Sequence, residues 1–200
     1  MDLGSQTLNE LLASLAEKKP TPGGGAVAGL LAALSTSLGQ MVLAYTEGKK
    51  KYIEHESLHS DCMSFLQKAS DEALLLGNAD AEAYEELNAL WKLDADDPIR
   101  IAQWGDALQQ AIQVPLRTME LSERVLVTLQ TLVGKTNAML VSDLLIAAIL
   151  AEAAARSARL NVEINLNQMD DGDALNTLRG KTTDLIASCK SLCNSIENDC

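Results

Sequence analysis

From Ala26 to Thr46 the chain reads AVAGLLAALSTSLGQMVLAYT, without one charged residue. No face of such a helix prefers water, so the segment must be enclosed by protein or cross a membrane. It is long enough for a membrane span, but Ser35, Thr36, Ser37 and Gln40 interrupt it and no other segment matches it. The reading is therefore a buried central helix. Gly25, Ala28, Gly29, Ala32, Ala33 and Gly39 give it small-residue surfaces on which neighbouring backbones can come close. The stretch follows PTPGGG, Pro20 to Gly25, a sharply punctuated loop.

The rest of the chain has to supply the enclosure. Apolar residues make up 47% of the sequence and aromatics only 3%, so the core is built from Ala, Leu, Val, Ile and Met, which suits closely packed helices. At 200 residues one domain, 1–200, is expected. Thr7 and Glu10 have capping-box spacing, with Leu8, Leu11, Leu12 and Leu15 at helical intervals until Lys18 and Lys19 complement the helix end. Helical patterning returns from about Glu54 to Leu93, with Gly77 and Asn78 as a possible break. Asp97-Pro98 then supplies an N-cap and first-turn proline, and Pro115 should kink the helix that follows. A fifth helix is expected from Asn137 to Arg159. LNVEINLN, Leu160 to Asn167, alternates like a strand but has no partner, so it is an extended connection or a continued helix. A last helix runs from about Asp173 to Ile196. The expected fold is all-α, a bundle of about six helices around one buried helix.

Charge excludes two classes of partner. A net charge of -12 repels phosphate backbones and anionic lipid, and few aromatics remain to stack on bases, so neither nucleic acid nor membrane is expected. Cys62, Cys189, Cys193 and Cys200 read as reduced thiols, and the opening Met-Asp-Leu-Gly has no secretion-signal pattern, which together suggest a cytoplasmic protein.

Several residues could carry chemistry. Glycines at a helix start expose backbone N–H groups to an anion, although no Gly-Lys-Ser or Gly-Lys-Thr follows here to make a P-loop. Lys49, Lys50 and Lys51, at the far end of the same helix, either cap it or hold an anionic substrate tail. Asp143 stands among Met139, Leu140, Val141, Leu144, Leu145 and Ile146, where a charge needs a partner, a pocket or a shifted pKa. Asp80, with Tyr84 one turn later, could be an ordinary surface acid. His55-Glu56-Ser57-Leu58-His59 matches the H-E-x-x-H of zinc peptidases, but these are the only histidines and Asp61 replaces the apolar support, so no metal site is assigned.

Taken together, PTPGGGAVAGL, TEGKKKY (Thr46 to Tyr52), Asn137 through Ser142-Asp143, and NVEIN (Asn161 to Asn165) resemble the cyclodeaminase and methenyltetrahydrofolate cyclohydrolase family, over nearly the whole chain. The resemblance implies a multihelical fold, usually a homodimer, with a folate site near the glycine loop. It implies cyclodeamination of 5-formiminotetrahydrofolate with release of ammonia, or hydrolysis of 5,10-methenyltetrahydrofolate to the 10-formyl form. It places substrate binding on Gly23, Gly24, Gly25, Lys49, Lys50, Lys51 and Ser142, and catalysis on Asp143, which could stabilise the cationic methenyl or formimino group. No metal or redox cofactor is required beyond the folate substrate. Where the family often has a serine after the glycines this chain has Ala26, which motivates an alternative: a catalytically silent member that binds folate or a partner protein.

Overall fold

A computed structural model describes residues 2–200. It contains α1 (Leu8–Ala16), α2 (Gly24–Ala44), α3 (Glu56–Trp91), α4 (Pro98–Leu132), α5 (Val141–Leu166) and α6 (Asp173–Asp199), with short 3-10 turns at Lys50–His55 and Ala138–Leu140. Among the described residues there is no strand.

The capping box at α1 forms in both directions: Thr7 N–H donates to Glu10 Oε2 at 2.8 Å, and Glu10 N–H donates to Thr7 Oγ1 at 3.3 Å. The helix stops at Ala16, short of Lys18 and Lys19, and Lys19 pairs with Glu17 rather than with the terminal carbonyls. Gly77 and Asn78 do not break α3, because both are used: Gly77 lies against α2, and Asn78 Oδ1 accepts the Leu3 N–H at 2.9 Å. Pro115 is buried within α4, which continues past it to Leu132. LNVEINLN is the end of α5. Its Val162 and Leu166, one turn apart, are both buried, so helical burial overrides the strand-like alternation.

Helix α2 packs on α3, α5 and α4. Its approach to α3 is governed by two glycines. A β-carbon on Gly29 would stand 2.7 Å from the Ala73 carbonyl oxygen and 2.8 Å from Gly77 Cα, so the two backbones touch. Against α5 it runs antiparallel: Ser35 Oγ donates to the Ala147 carbonyl at 2.6 Å near the middle, and Thr46 Oγ1 accepts the Asn137 N–H at 2.9 Å near one end. Leu116, Met119, Leu121, Leu126, Leu129 and Leu132 of α4, all fully buried, supply the bulk that the small residues of α2 lack.

The expectation of a buried central helix holds on three sides of α2 only. Val27, Leu31, Leu34, Leu38, Met41 and Tyr45, at alternating four- and three-residue steps, form a stripe that no other helix of the chain covers fully, with Leu34 47% and Tyr45 61% exposed. A second apolar stripe on α5 contains Ile146, Ile149, Leu160 and Ile164, all exposed. By length and composition alone both Gly24–Ala44 and Ala138–Leu166 could cross a membrane, so the expectation that α2 was alone in this is corrected.

The glycine contact gives a paired prediction. Gly29→Ala forces α2 and α3 apart and should cost about 1–3 kcal/mol. Gly105→Ala, on an exposed turn of α4 with open space around it, should gain about 0.5–1 kcal/mol. Urea denaturation of the two variants checks the contrast.

Candidate functional site

The start of α2 is where polar groups gather without partners. Gly23 caps the helix with extended backbone, and Gly24 and Gly25 form its first turn, whose N–H groups have no acceptor within the helix. The space a side chain at Gly25 would fill is occupied by Asp80 of α3: a β-carbon there would lie 1.9 Å from Asp80 Oδ2 and 2.2 Å from Oδ1. The space beside Gly24 faces Asn161 of α5, whose Oδ1 stands 3.6 Å and Nδ2 4.0 Å from the equivalent point. Three helices therefore converge on two glycines. The Thr21 hydroxyl of the preceding loop donates to Glu85, tying that loop to α3 one turn beyond Asp80.

The Asp80 carboxyl is pushed up from 3.8 to about 6, and burial is the cause. Asn161 Nδ2 is buried and finds no acceptor among the described residues. A carboxyl with a pKa near neutrality can take and return a proton, and beside it lie an unused amide donor and the positive end of a long helix.

The sequence-derived residues separate into two groups. Gly23, Gly24 and Gly25 belong to this cluster. Lys49, Lys50, Lys51, Ser142 and Asp143 lie at the opposite end of α2, about 30 Å away by helical rise. Ala138 N–H donates to the Tyr52 hydroxyl at 3.2 Å, which joins the lysine segment to the start of α5. The lysines are exposed and lie beyond Ala44, so they do not cap α2; Lys51 Nζ sits 5.1 Å above the Tyr52 ring. A cavity of about 450 Å³ opens beside them, with Leu43, Lys49, Lys50, Tyr52 and Met63 among its walls. Asp143 is half-buried in the first turn of α5, where a helix start already favours a carboxylate. His59 uses Nε2 to donate to the Lys135 carbonyl at 2.8 Å, holding the turn before α5, so HESLH has a structural occupation.

Ala26 is 1% exposed and packs with Leu3 and Leu11 beneath α1. A hydroxyl at this position would enter an apolar cluster. The sequence reading missed Asp80 and Asn161 as a pair. Each lies on its own Ala-rich or apolar helix, and their meeting point is a glycine turn on a third.

The class is therefore an all-helical fold with a carboxyl and an amide set against a glycine-started helix. The family model described as formiminotransferase-cyclodeaminase matches residues 7–184. A methenyltetrahydrofolate cyclohydrolase from Methylorubrum extorquens is 33% identical over 175 residues, covering 84% of this chain and 83% of that protein. The formimidoyltransferase-cyclodeaminase of Rattus norvegicus is 29% identical over 92% of this chain, which spans only 35% of that protein. The crystal structure of formiminotetrahydrofolate cyclodeaminase from Thermotoga maritima superposes with a TM-score of 0.90 at 27% identity, covering 98% of this chain and 96% of that one. The chain belongs to the formiminotransferase-cyclodeaminase family.

Asp80 makes stability pH-dependent in a defined direction. The folded chain holds this proton more tightly than the unfolded chain does, so the carboxyl costs stability increasingly as pH rises from 3.8 through about 6. Asp80→Asn should melt about 5 °C above the unsubstituted protein at pH 8. The gap should close as pH falls through 6 towards 4, which melting curves across that range would measure.

Proposed function

We propose that this protein closes or opens the one-carbon bridge between N5 and N10 of tetrahydrofolate. It acts on 5-formiminotetrahydrofolate, releasing ammonia, or on 5,10-methenyltetrahydrofolate, adding water to give the 10-formyl form. Family membership supports the substrate class, and the observation that carries the chemistry is the unpartnered Asp80 carboxyl against Gly25. In ring closure N10 attacks the formimino carbon, Asp80 takes the N10 proton and returns it to the departing amine, and ammonia leaves. In hydrolysis Asp80 takes one proton from the attacking water and gives it to N5 as the C–N5 bond breaks, while the second water proton leaves the hydroxyl for solvent as the formyl C=O forms. Both paths pass through a cationic methenyl group, which a carboxylate also stabilises. No metal or redox partner is needed for either path.

We further propose that the working unit is a homodimer with composite sites. The α2 stripe from Val27 to Tyr45 has its midpoint at Thr36, so a two-fold axis there sets Gly24 of one copy opposite Gly48 of the other. The exposed stripes of α2 and α5 supply the apolar surface for such an interface. In this arrangement Gly23, Gly24, Gly25 and Asp80 of one copy face Lys49, Lys50 and Lys51 of the second. The lysines hold the anionic glutamate end of folate, and Ser142 and Asp143 lie at that same end, with Asp143 adding a negative charge for the cation.

Assay of the purified protein with both folates tests the reading: product from neither would remove it. Asp80→Asn should lower turnover by roughly 100-fold or more without loss of melting temperature, and a fully active variant would overturn the assignment of Asp80. Light scattering should give a dimer mass, and Leu34→Glu should give an inactive monomer. Mixing equal amounts of Asp80→Asn protein and a Lys49, Lys50 and Lys51 triple-alanine variant should restore about a quarter of normal activity, because half of all dimers are then mixed and each mixed dimer carries one intact site of two. No recovery in demonstrably mixed dimers would show that each site lies within one copy.

A further inference from the structure

Two asparagines one turn apart on α5 have different fates. Asn165 Nδ2 donates to the Ala111 carbonyl at 2.7 Å and so ties α5 to α4. Asn161 shares that side of the helix, and its Nδ2 is buried without any acceptor among the described residues. A buried amide left unpaired is unfavourable by more than an ordinary hydrogen bond contributes, so a structural role does not account for Asn161 as it does for Asn165. Its amide lies over Gly24, and the neighbouring Gly25 carries the Asp80 carboxyl. A group bonded to this amide is therefore held next to the proposed proton carrier.

We infer that Asn161 reads the pterin ring, its side-chain amide donating to the ring carbonyl oxygen at position 4. This rests on the folate reading above. The group that satisfies Nδ2 must be an acceptor, because the amide nitrogen can only donate. In both proposed substrates the C4 carbonyl is joined through a single ring carbon to N5, which makes it the pterin acceptor nearest the reacting bond. Fixing that oxygen at Asn161 sets N5 and its one-carbon substituent towards Asp80. A site built around such a donor also discriminates against analogues that lack the carbonyl, since the amide is then left unpaired.

The test uses 5-formyltetrahydrofolate, a stable ligand with the same ring and an N5 substituent, with calorimetric binding and melting measured on the same preparations. Asn161→Leu should weaken its Kd by about 10-fold or more and leave the ligand-free melting temperature unchanged or higher. Asn161→Asp, which keeps the shape but replaces donors by acceptors, should weaken binding as well, so the inference does not depend on leucine being accommodated. Asn165→Leu is the internal control: it should melt lower and bind with unchanged Kd. Unsubstituted affinity in both Asn161 variants would overturn the inference and leave the folate reading standing, provided the unsubstituted protein turns over a folate. An unsubstituted protein that neither binds 5-formyltetrahydrofolate nor turns over either substrate would overturn both.

Discussion

The backbone contact between α2 and α3 at Gly29 and Gly77 sets the geometry of the rest of the molecule. Two helices can approach this closely only where neither carries a side chain, and the approach fixes the rotation and height of each against the other. One turn towards the start of α2, that same rotation brings Gly25 under the position that Asp80 occupies three residues beyond Gly77. The unfavourable burial of an acidic group is thus imposed by packing that stabilises the fold elsewhere. Moving Asp80 back to water would require separating the two helices along their length.

A second constraint follows from how small α2 is. Its alanines and glycines fill little volume, so α4 brings the large side chains and α5 brings a matching row of alanines, Ala147, Ala148, Ala151, Ala154, Ala155 and Ala158, all buried. Closely spaced backbones leave room for just one layer of neighbours on three sides. The fourth side remains a charge-free stripe, which a chain of this charge does not cover with its own acidic helices. The proposed dimer is a response to that geometry, and it joins the glycine end and the lysine end that a rigid 21-residue helix keeps apart.

Much of the architecture was legible along the chain. Helix α1 was readable from the Thr7 and Glu10 spacing, and α4 from Asp97-Pro98, because capping is local chemistry between residues a few positions apart. The strand-like pattern of LNVEINLN misled because burial of Val162 and Leu166 against other helices outweighs local alternation. Gly77 looked like a break, because a glycine in a helix is unfavourable unless a second backbone needs the space.

The sequence by itself determined that the chain is helical, that α2 would be the organising segment, and that the glycine turn and the lysines mark its two ends, since each depends on composition or short spacing. Family resemblance could be seen in the same motifs. Tertiary structure decided which acid is buried against the glycine turn and which amide is left without an acceptor. Asp143 stood out in sequence because its neighbours are apolar, yet it lies half-buried in the first turn of α5, whereas Asp80 looked ordinary and has its pKa raised to about 6 by burial. The environment of a charged group is made by residues far away in the chain, and only the packing of α3 against the glycine turn of α2 buries Asp80 and raises its pKa.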